Sequence, residues 1–268
     1  MSDIDKVFAG SIPEMYDRYF VPLIFEPYAR DLAERLAKIN PKTVLETAAG
    51  TGVLTRAMVR QLPQARITAT DLNQPMLDWA KTTLPSARVT WQQADALALP
   101  FEDESFDAVV CQFGVMFFPD RLKGYREARR VLKPGGHFLF NSWDRISENE
   151  FADVITQALA EVFPKDPPRF LARTPHGYND VAKIRADVAE AGFQSISTET
   201  KAEISAAPTA RDPALAYCQG TPLRSEIEAR DATRLQEATE FAAKAIAQRY
   251  GPGPVQAKIA AHIIVAAK

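Results

Sequence analysis

Between Thr43 and Thr55 the chain reads TVLETAAGTGVLT. A short apolar run, Val44-Leu45, ends at Glu46 and passes through small residues to Gly50 and Gly52 before helix-forming residues resume, which predicts strand, tight loop and helix. The glycines let the backbone approach a ligand and take positive φ, and the first N–H groups of the following helix have no partner inside it. Such a turn binds nucleotides at the carboxyl end of a parallel strand. At the third glycine position of the dinucleotide fingerprint stands Thr55, so the loop alone is weak evidence for any one cofactor.

The flanking segments supply the remaining strands and helices of an α/β chain. Apolar residues Phe25, Ala29, Leu32, Ala33 and Leu36 recur at helical spacing over Ile24 to Leu36. A helix is expected from Val53 to Leu62, and strands over Arg66 to Thr70, Arg88 to Gln92 and Asp107 to Gln112, the last too continuously apolar to be half-exposed. Acids stand at strand ends in RITATDLN (Asp71) and VTWQQADA (Asp95). A helix over Arg121 to Leu132 stops at Lys133-Pro134-Gly135-Gly136, and a strand follows from His137 to Trp143. Helices are expected over Phe151 to Phe163 and Asp180 to Ala191, around a proline-rich break. Gln194 to Ser205 and Gln256 to Ala267 read as strands, and the alanine- and charge-rich stretch between them, about Ala210 to Tyr250, is helical by period.

Four pieces, ETAAGTG at 46–52, ATD at 69–71, QADALALPFEDESFDAVVCQFGVMFF at 93–118 and LKPGG at 132–136, occur in order at ordinary βα spacings. In these the chain resembles the class I S-adenosylmethionine-dependent methyltransferases, small-molecule branch, of the ubiquinone-biosynthesis type. The resemblance covers roughly 45–145. It implies a Rossmann-like, doubly wound, seven-stranded sheet, mostly parallel with an antiparallel last strand, plus a helical cap. The expected domains are an N-terminal arm and helix over 1–40, a core over 41–205 and 251–268, and a helical cap over 206–250.

The resemblance also implies S-adenosyl-L-methionine as cofactor, held by Tyr19, Glu46, Ala48, Gly50, Thr51, Gly52, Asp71, Leu72, Met76, Asp95, Ala96, Gln112 and Phe113. A carboxylate at Asp71 suits the two hydroxyls of a ribose, with Leu72 and Met76 against the adenine and Asp95-Ala96 at its amino group; the other reading of Asp71, a helix cap, is available through Asn73. Tyr16 and Tyr19 either cover the site or anchor the arm by apolar area. Residues Gln112 to Phe118 leave a strand at the ligand-binding end, where rings hold a sulfonium by cation–π contact or pack as core. Tyr16, Phe117, Trp143 and His176 are the candidates for the methyl acceptor. Trp143 either faces the substrate or plugs the core, and His176 is either a base or a surface or capping residue.

The expected function is methyl transfer to a small molecule by in-line displacement, which needs alignment more than covalent help, so no catalytic base and no metal ligand is assigned. A nicotinamide-dependent oxidoreductase of similar fold is the alternative, disfavoured by Thr55 and by the extra acid Asp95. A non-catalytic adenosylmethionine-binding protein would keep the same residues. With 268 residues and a formal net charge of -2, the chain lacks the basic excess of a protein that neutralises many phosphates, so nucleic acid is not expected as a partner. Cys111 and Cys218 show neither paired framework spacing nor C-x-x-C, and no signal-length or ~20-residue apolar segment occurs. A cytoplasmic location without a membrane span is expected. The acceptor atom and the oligomeric state are not legible.

Overall fold

The structure, a computed structural model, describes residues 12–268; residues 1–11 of the expected arm lie outside the described residues. The chain begins with a helical turn α1 (Ile12–Met15), a widened π-helical stretch (Tyr16–Phe25) and α2 (Glu26–Ile39). Then follow β1 (Thr43–Glu46), α3 (Val53–Gln61), β2 (Arg66–Asp71), α4 (Gln74–Thr83), β3 (Val89–Gln93), β4 (Phe106–Gln112), α5 (Arg121–Val131) and β5 (Leu132–Trp143). The second half contains α6 (Glu150–Val162), α7 (Phe170–Arg173), α8 (Val181–Glu190), β6 (Gln194–Ala207), α9 (Arg211–Gln219), α10 (Leu223–Asp231), α11 (Leu235–Tyr250) and β7 (Val255–Ala267).

One seven-stranded sheet runs in the order β3-β2-β1-β4-β5-β7-β6. The first five are parallel to their neighbours, and β7 and β6 form the antiparallel pair. Lys268 N–H donates to Gly136 O and Asp144 N–H donates to Ala260 O, a descending register that makes β7 antiparallel to β5 as well. Strand order reverses between β1 and β4, and ligands of open parallel sheets bind at the carboxyl ends around such a reversal.

The chain divides into two compact units. A sheet unit comprises Glu26–Ser142, Asn179–Lys201 and Ala261–Lys268, and a helical unit comprises the described residues up to Phe25, Trp143–Tyr178 and Ala202–Ala260. These boundaries differ from the domain limits expected from the sequence. Helix α2 belongs with the sheet unit because Tyr28, Leu32 and Leu36, one turn apart, are fully buried there, and Tyr28 Oη donates to Lys201 O at 3.0 Å. Trp143–Tyr178, expected in the core, groups with the helices: Glu226 of α10 accepts from the backbone N–H groups of Arg169 and Phe170 and from Arg173 at 2.8 Å.

In the sheet unit β4 is buried along nearly its whole length, as its unbroken apolar run requires. On one face Phe138 and Phe140 of β5 pack against Tyr125 of α5, ring centroids 5.8 and 5.4 Å apart. The other face carries Glu46, whose carboxylate meets Thr55 of α3. The first helix differs from the expected Ile24–Leu36 span: Pro22 lies inside the π-helical stretch, and the chain stays helical through it by widening its turns. Lys133-Pro134-Gly135-Gly136 is not a plain stop before β5. Phe106 pairs with Leu132 and Ala108 with His137, so these four residues bulge within the strand, Gly135 taking φ +74°.

At that amino-terminal edge Asp107 accepts from Lys42 N–H, Thr43 N–H and Thr43 Oγ1 at 2.8–2.9 Å and pairs with Lys133 Nζ at 2.8 Å. Burial opposes its charge, but Lys133 and the Thr43 and Lys42 donors outweigh it and bring the carboxyl down to about 2. The folded carboxyl binds its proton less readily than the unfolded one. Its stabilisation is therefore complete above about pH 4 and disappears as the pH falls toward about 2. Asp107→Asn should cost about 1–2 kcal/mol in urea unfolding at pH 6, after allowance for its partial exposure. The difference from wild type should shrink below pH 4; a deficit that stays constant down to pH 2 contradicts this role.

Candidate active site

The loop after β1 is held on three sides. Thr47 N–H donates to Val110 O of β4 at 2.9 Å, and Ala49 N–H to Thr70 O of β2 at 2.9 Å. Gly50 N–H donates to the Asp71 carboxylate at 2.8 Å. Gly52 has φ +82°, and a Cβ there would stand 2.8 Å from the Trp91 ring, so both conformation and space require glycine. Gly114, after β4, is required by space alone, since a Cβ would meet the Ala48 Cβ at 2.5 Å. Ala48 and Phe113 themselves take positive φ, +54° and +51°, a conformation that costs energy away from glycine and concentrates at ligand sites.

Two carboxylates are buried in this loop region. Asp71, 7% exposed, accepts from Asn73 N–H at 2.8 Å and, more weakly, from Asn73 Nδ2 at 3.3 Å, besides Gly50 N–H. Burial raises its pKa against the pull of those donors. Asn73 heads α4 without a side-chain cap; its amide turns back to Asp71 instead. Glu46, 1% exposed, accepts from Thr55 Oγ1 at 2.5 Å. Burial pushes it up to about 8, the Thr55 hydroxyl opposing and the nearby Asp71 charge adding. Thr55 therefore acts as the anchor for Glu46 at the place where the dinucleotide fingerprint has its third glycine, a partnership invisible until α3 is folded against β1.

The other expected cofactor residues in the sheet unit distribute around this loop. Met76 is buried with its ε-methyl 3.6 Å from the position of a Cβ on Gly50, while Leu72 is 48% exposed. Thr51 Oγ1 is buried without a partner. Ala94 N–H donates to Asp71 O at 3.1 Å, which puts Asp95 and Ala96 directly after the paired end of β3; Asp95 is exposed and accepts from Leu97 N–H at 2.9 Å. Gln112 and Phe113 leave the end of β4, and Phe113 meets Tyr28 edge to face at 5.3 Å. Phe117 lies half-buried in the short turn Val115–Phe117.

A polar-lined, glycine-floored loop beside a strand-end carboxylate fits an adenosine-bearing ligand. Asp71 has a long Asn73 contact for a ribose hydroxyl to displace, Leu72 offers exposed apolar surface, and the unpartnered Thr51 hydroxyl is a ready donor. Among the described residues no group of three or more His, Cys, Asp or Glu is placed to hold a metal ion. Cys111 is buried and its thiol pushed up to about 12 by burial, which leaves it inert.

In the helical unit, three acceptor candidates join one aromatic cluster. Tyr16 stacks on Phe25 at 5.3 Å, Phe25 meets Trp143 at 6.0 Å, and Trp143 meets His176 at 6.1 Å. Phe20 extends the cluster to Tyr217 at 4.8 Å. Tyr19, in the same unit, carries the Arg18 guanidinium over its ring at 5.2 Å. His176 is neither a surface nor a capping residue: it is 5% exposed, and burial lowers it to about 4 against the opposing hydrogen bond to Asp144 O. It is neutral at physiological pH. Its Nδ1 donates to that carbonyl at 2.8 Å, which makes Nε2 the acceptor nitrogen of the ring.

The comparisons agree with this geometry. A family model described as a methyltransferase domain matches residues 45–140. The chain is 36% identical over 166 residues to the demethylmenaquinone methyltransferase of Deinococcus radiodurans, covering 60% of this chain and 69% of that protein. It is 30% identical over 169 residues to the ubiquinone/menaquinone biosynthesis C-methyltransferase UbiE of Escherichia coli, covering 58% and 67%. Among solved structures, the YcgJ protein of Bacillus subtilis shares the fold with a TM-score of 0.59 at 19% identity, over 90% of this chain and 98% of that one.

The Glu46 environment carries a testable cost. Its folded carboxyl holds the proton more tightly than the unfolded one, whose ordinary value is 4.5. Folding is therefore unopposed below about pH 4.5 and increasingly opposed as the pH rises through about 8. Without ligand, Glu46→Gln should lose less stability than wild type between pH 5 and 8, by about 2–4 kcal/mol in denaturant unfolding. Parallel pH profiles for the two proteins would place the proton elsewhere.

Together the loop, its carboxylates and the relatives give one assignment: the chain belongs to the class I S-adenosylmethionine-dependent methyltransferases, of the type found in ubiquinone and menaquinone biosynthesis.

Proposed function

We propose that this methyltransferase moves the methyl group to a small, planar, hydroxylated ring of the quinol type. The names of the relatives support that acceptor class, and the Tyr16–Phe25–Trp143–His176 cluster supplies ring surface suited to it. The observation that carries the cofactor half is the Asp71 carboxylate bound to Gly50 N–H, because it sets a ribose-binding acid against a glycine loop. Among the described residues no helix is long and apolar enough to cross a membrane, so a quinol would be met without a helical span in this part of the chain.

In this reading Asp71 holds the ribose, Leu72 and Met76 line the adenine, and Asp95-Ala96 take its amino edge. Ala48, Gly50, Thr51 and Gly52 present loop backbone and a hydroxyl to the amino-acid portion, and Glu46 stiffens the loop through Thr55. Gln112 and Phe113 border the methyl group at the end of β4. When bound, the sulfonium cofactor supplies the methyl group for an in-line displacement. The protein's residues supply alignment, where effective molarity contributes roughly 7–11 kcal/mol of barrier lowering. Phe117 serves acceptor selection. His176 is neutral and tautomer-fixed, and its lowered pKa makes it a weak base.

S-adenosylhomocysteine should raise the melting temperature, corresponding to about 2.7 kcal/mol at a hundredfold excess over its dissociation constant, and NADH should not. Asp71→Ala should weaken that binding by about 1.5–3 kcal/mol in calorimetry, with some loss of stability because Gly50 N–H loses its partner. Stabilisation by NADH without any by S-adenosylhomocysteine would instead favour the oxidoreductase.

A further inference from the structure

Among the described residues Asn141 is a fully buried polar side chain to which the cofactor reading assigns no role. It is 0% exposed, and neither its Oδ1 nor its Nδ2 has a partner. A primary amide offers two donors and two lone pairs, and a buried one left with none satisfied signals a ligand or a cost that folding alone does not justify. Its surroundings repeat the signal. Asn141 is the Cα partner of Gln112 on β4, and one rung below them Val110 pairs with both Leu139 and Glu46. Alternation along strands puts Glu46, Gln112 and Asn141 on the same face, so Gln112 and Asn141 form a polar pair toward the carboxyl ends of β4 and β5, directly above the row of Glu46, Val110 and Leu139.

Position separates Asn141 from the ribose acid Asp71. With strands ~4.8 Å apart, β5 lies three spacings, about 14 Å, from β2 and its ribose acid. The glycine loop follows β1 and Gln112 ends β4, so both strands stand between Asn141 and Asp71. We propose that Asn141 is an acceptor-binding, specificity-determining residue: its amide hydrogen-bonds an oxygen substituent, hydroxyl or carbonyl, of the methyl acceptor, with Gln112 beside it. This rests on the methyltransferase reading of the site.

The test compares wild type with Asn141→Leu, similar in volume but unable to hydrogen-bond, and Asn141→Ser, which keeps one hydroxyl and covers the case in which leucine does not fold. Three quantities are read: the melting temperature without ligand, the dissociation constant for S-adenosylhomocysteine, and the KM for 1,4-naphthohydroquinone, kept reduced, with labelled S-adenosylmethionine. For Asn141→Leu the melting temperature should stay level or rise, S-adenosylhomocysteine affinity should change less than twofold, and KM should rise at least tenfold, the serine variant lying between. A lower melting temperature in both variants would make Asn141 a structural residue satisfied inside the fold. Weaker S-adenosylhomocysteine binding would move it to the cofactor, and an unchanged KM would remove it from the acceptor; each overturns the proposal. If wild type binds S-adenosylhomocysteine but does not methylate the probe, the quinol assignment fails instead, and the first two quantities still decide for or against a ligand-facing Asn141.

Discussion

The hydrogen bond from Gly50 N–H to the Asp71 carboxylate, 2.8 Å long and largely buried, ties the loop after β1 to the turn after β2. Without it the loop would have two anchors left, Thr47 to β4 and Ala49 to β2. The positive φ values at Ala48, Gly50 and Gly52 are tolerable because these anchors over-determine the backbone between them. The same carboxylate is the group a ribose needs, so scaffold and ligand contact meet in one side chain. Desolvation raises its pKa even in the company of its donors, so burial works against the charged form of this carboxyl.

Much of this was readable from residue pattern. The run Asp107 to Gln112 declared a central strand, the step from Leu45 through Glu46 to Gly52 declared a strand and a tight glycine loop, and Asp71 ends β2 with Asp95 just beyond β3. What escaped reading depends on neighbours that only tertiary folding supplies. Thr55 looked like a missing glycine until α3 brought its hydroxyl to Glu46. Asn141, Ser142 and Trp143 fall at the carboxyl end of β5, and register sets Asn141 beside Gln112 in a buried position. His176 sat beside glycine in a loop-like stretch, yet it is buried against Trp143 with its tautomer set by Asp144 O. The Lys133–Gly136 segment carried a helix stop signal, and its second property, a bulge paired across Phe106 and Ala108, needed the partner strand.

The two compact units divide the residue chemistry in kind. The sheet unit contains the buried carboxylates, the left-handed loop and the polar rung at the strand ends. The helical unit contains the ring cluster and a neutral histidine, with few charges among them. Trp143 to Tyr178 follows the last recognisable motif, and it groups with the helices through packing, by way of Glu226 and the Arg169–Arg173 turn.

The central claim is that the loop from Glu46 to Gly52, fastened by Asp71, is where the cofactor is held. Backbone amide chemical shifts followed by NMR during titration with S-adenosylhomocysteine test it most directly. The account predicts that the largest changes fall on Ala48 to Gly52 and on Asp71 to Asn73, with the Gly50 amide among the most affected. If saturating ligand leaves those amides in place while others move, the cofactor is held elsewhere and the account is wrong.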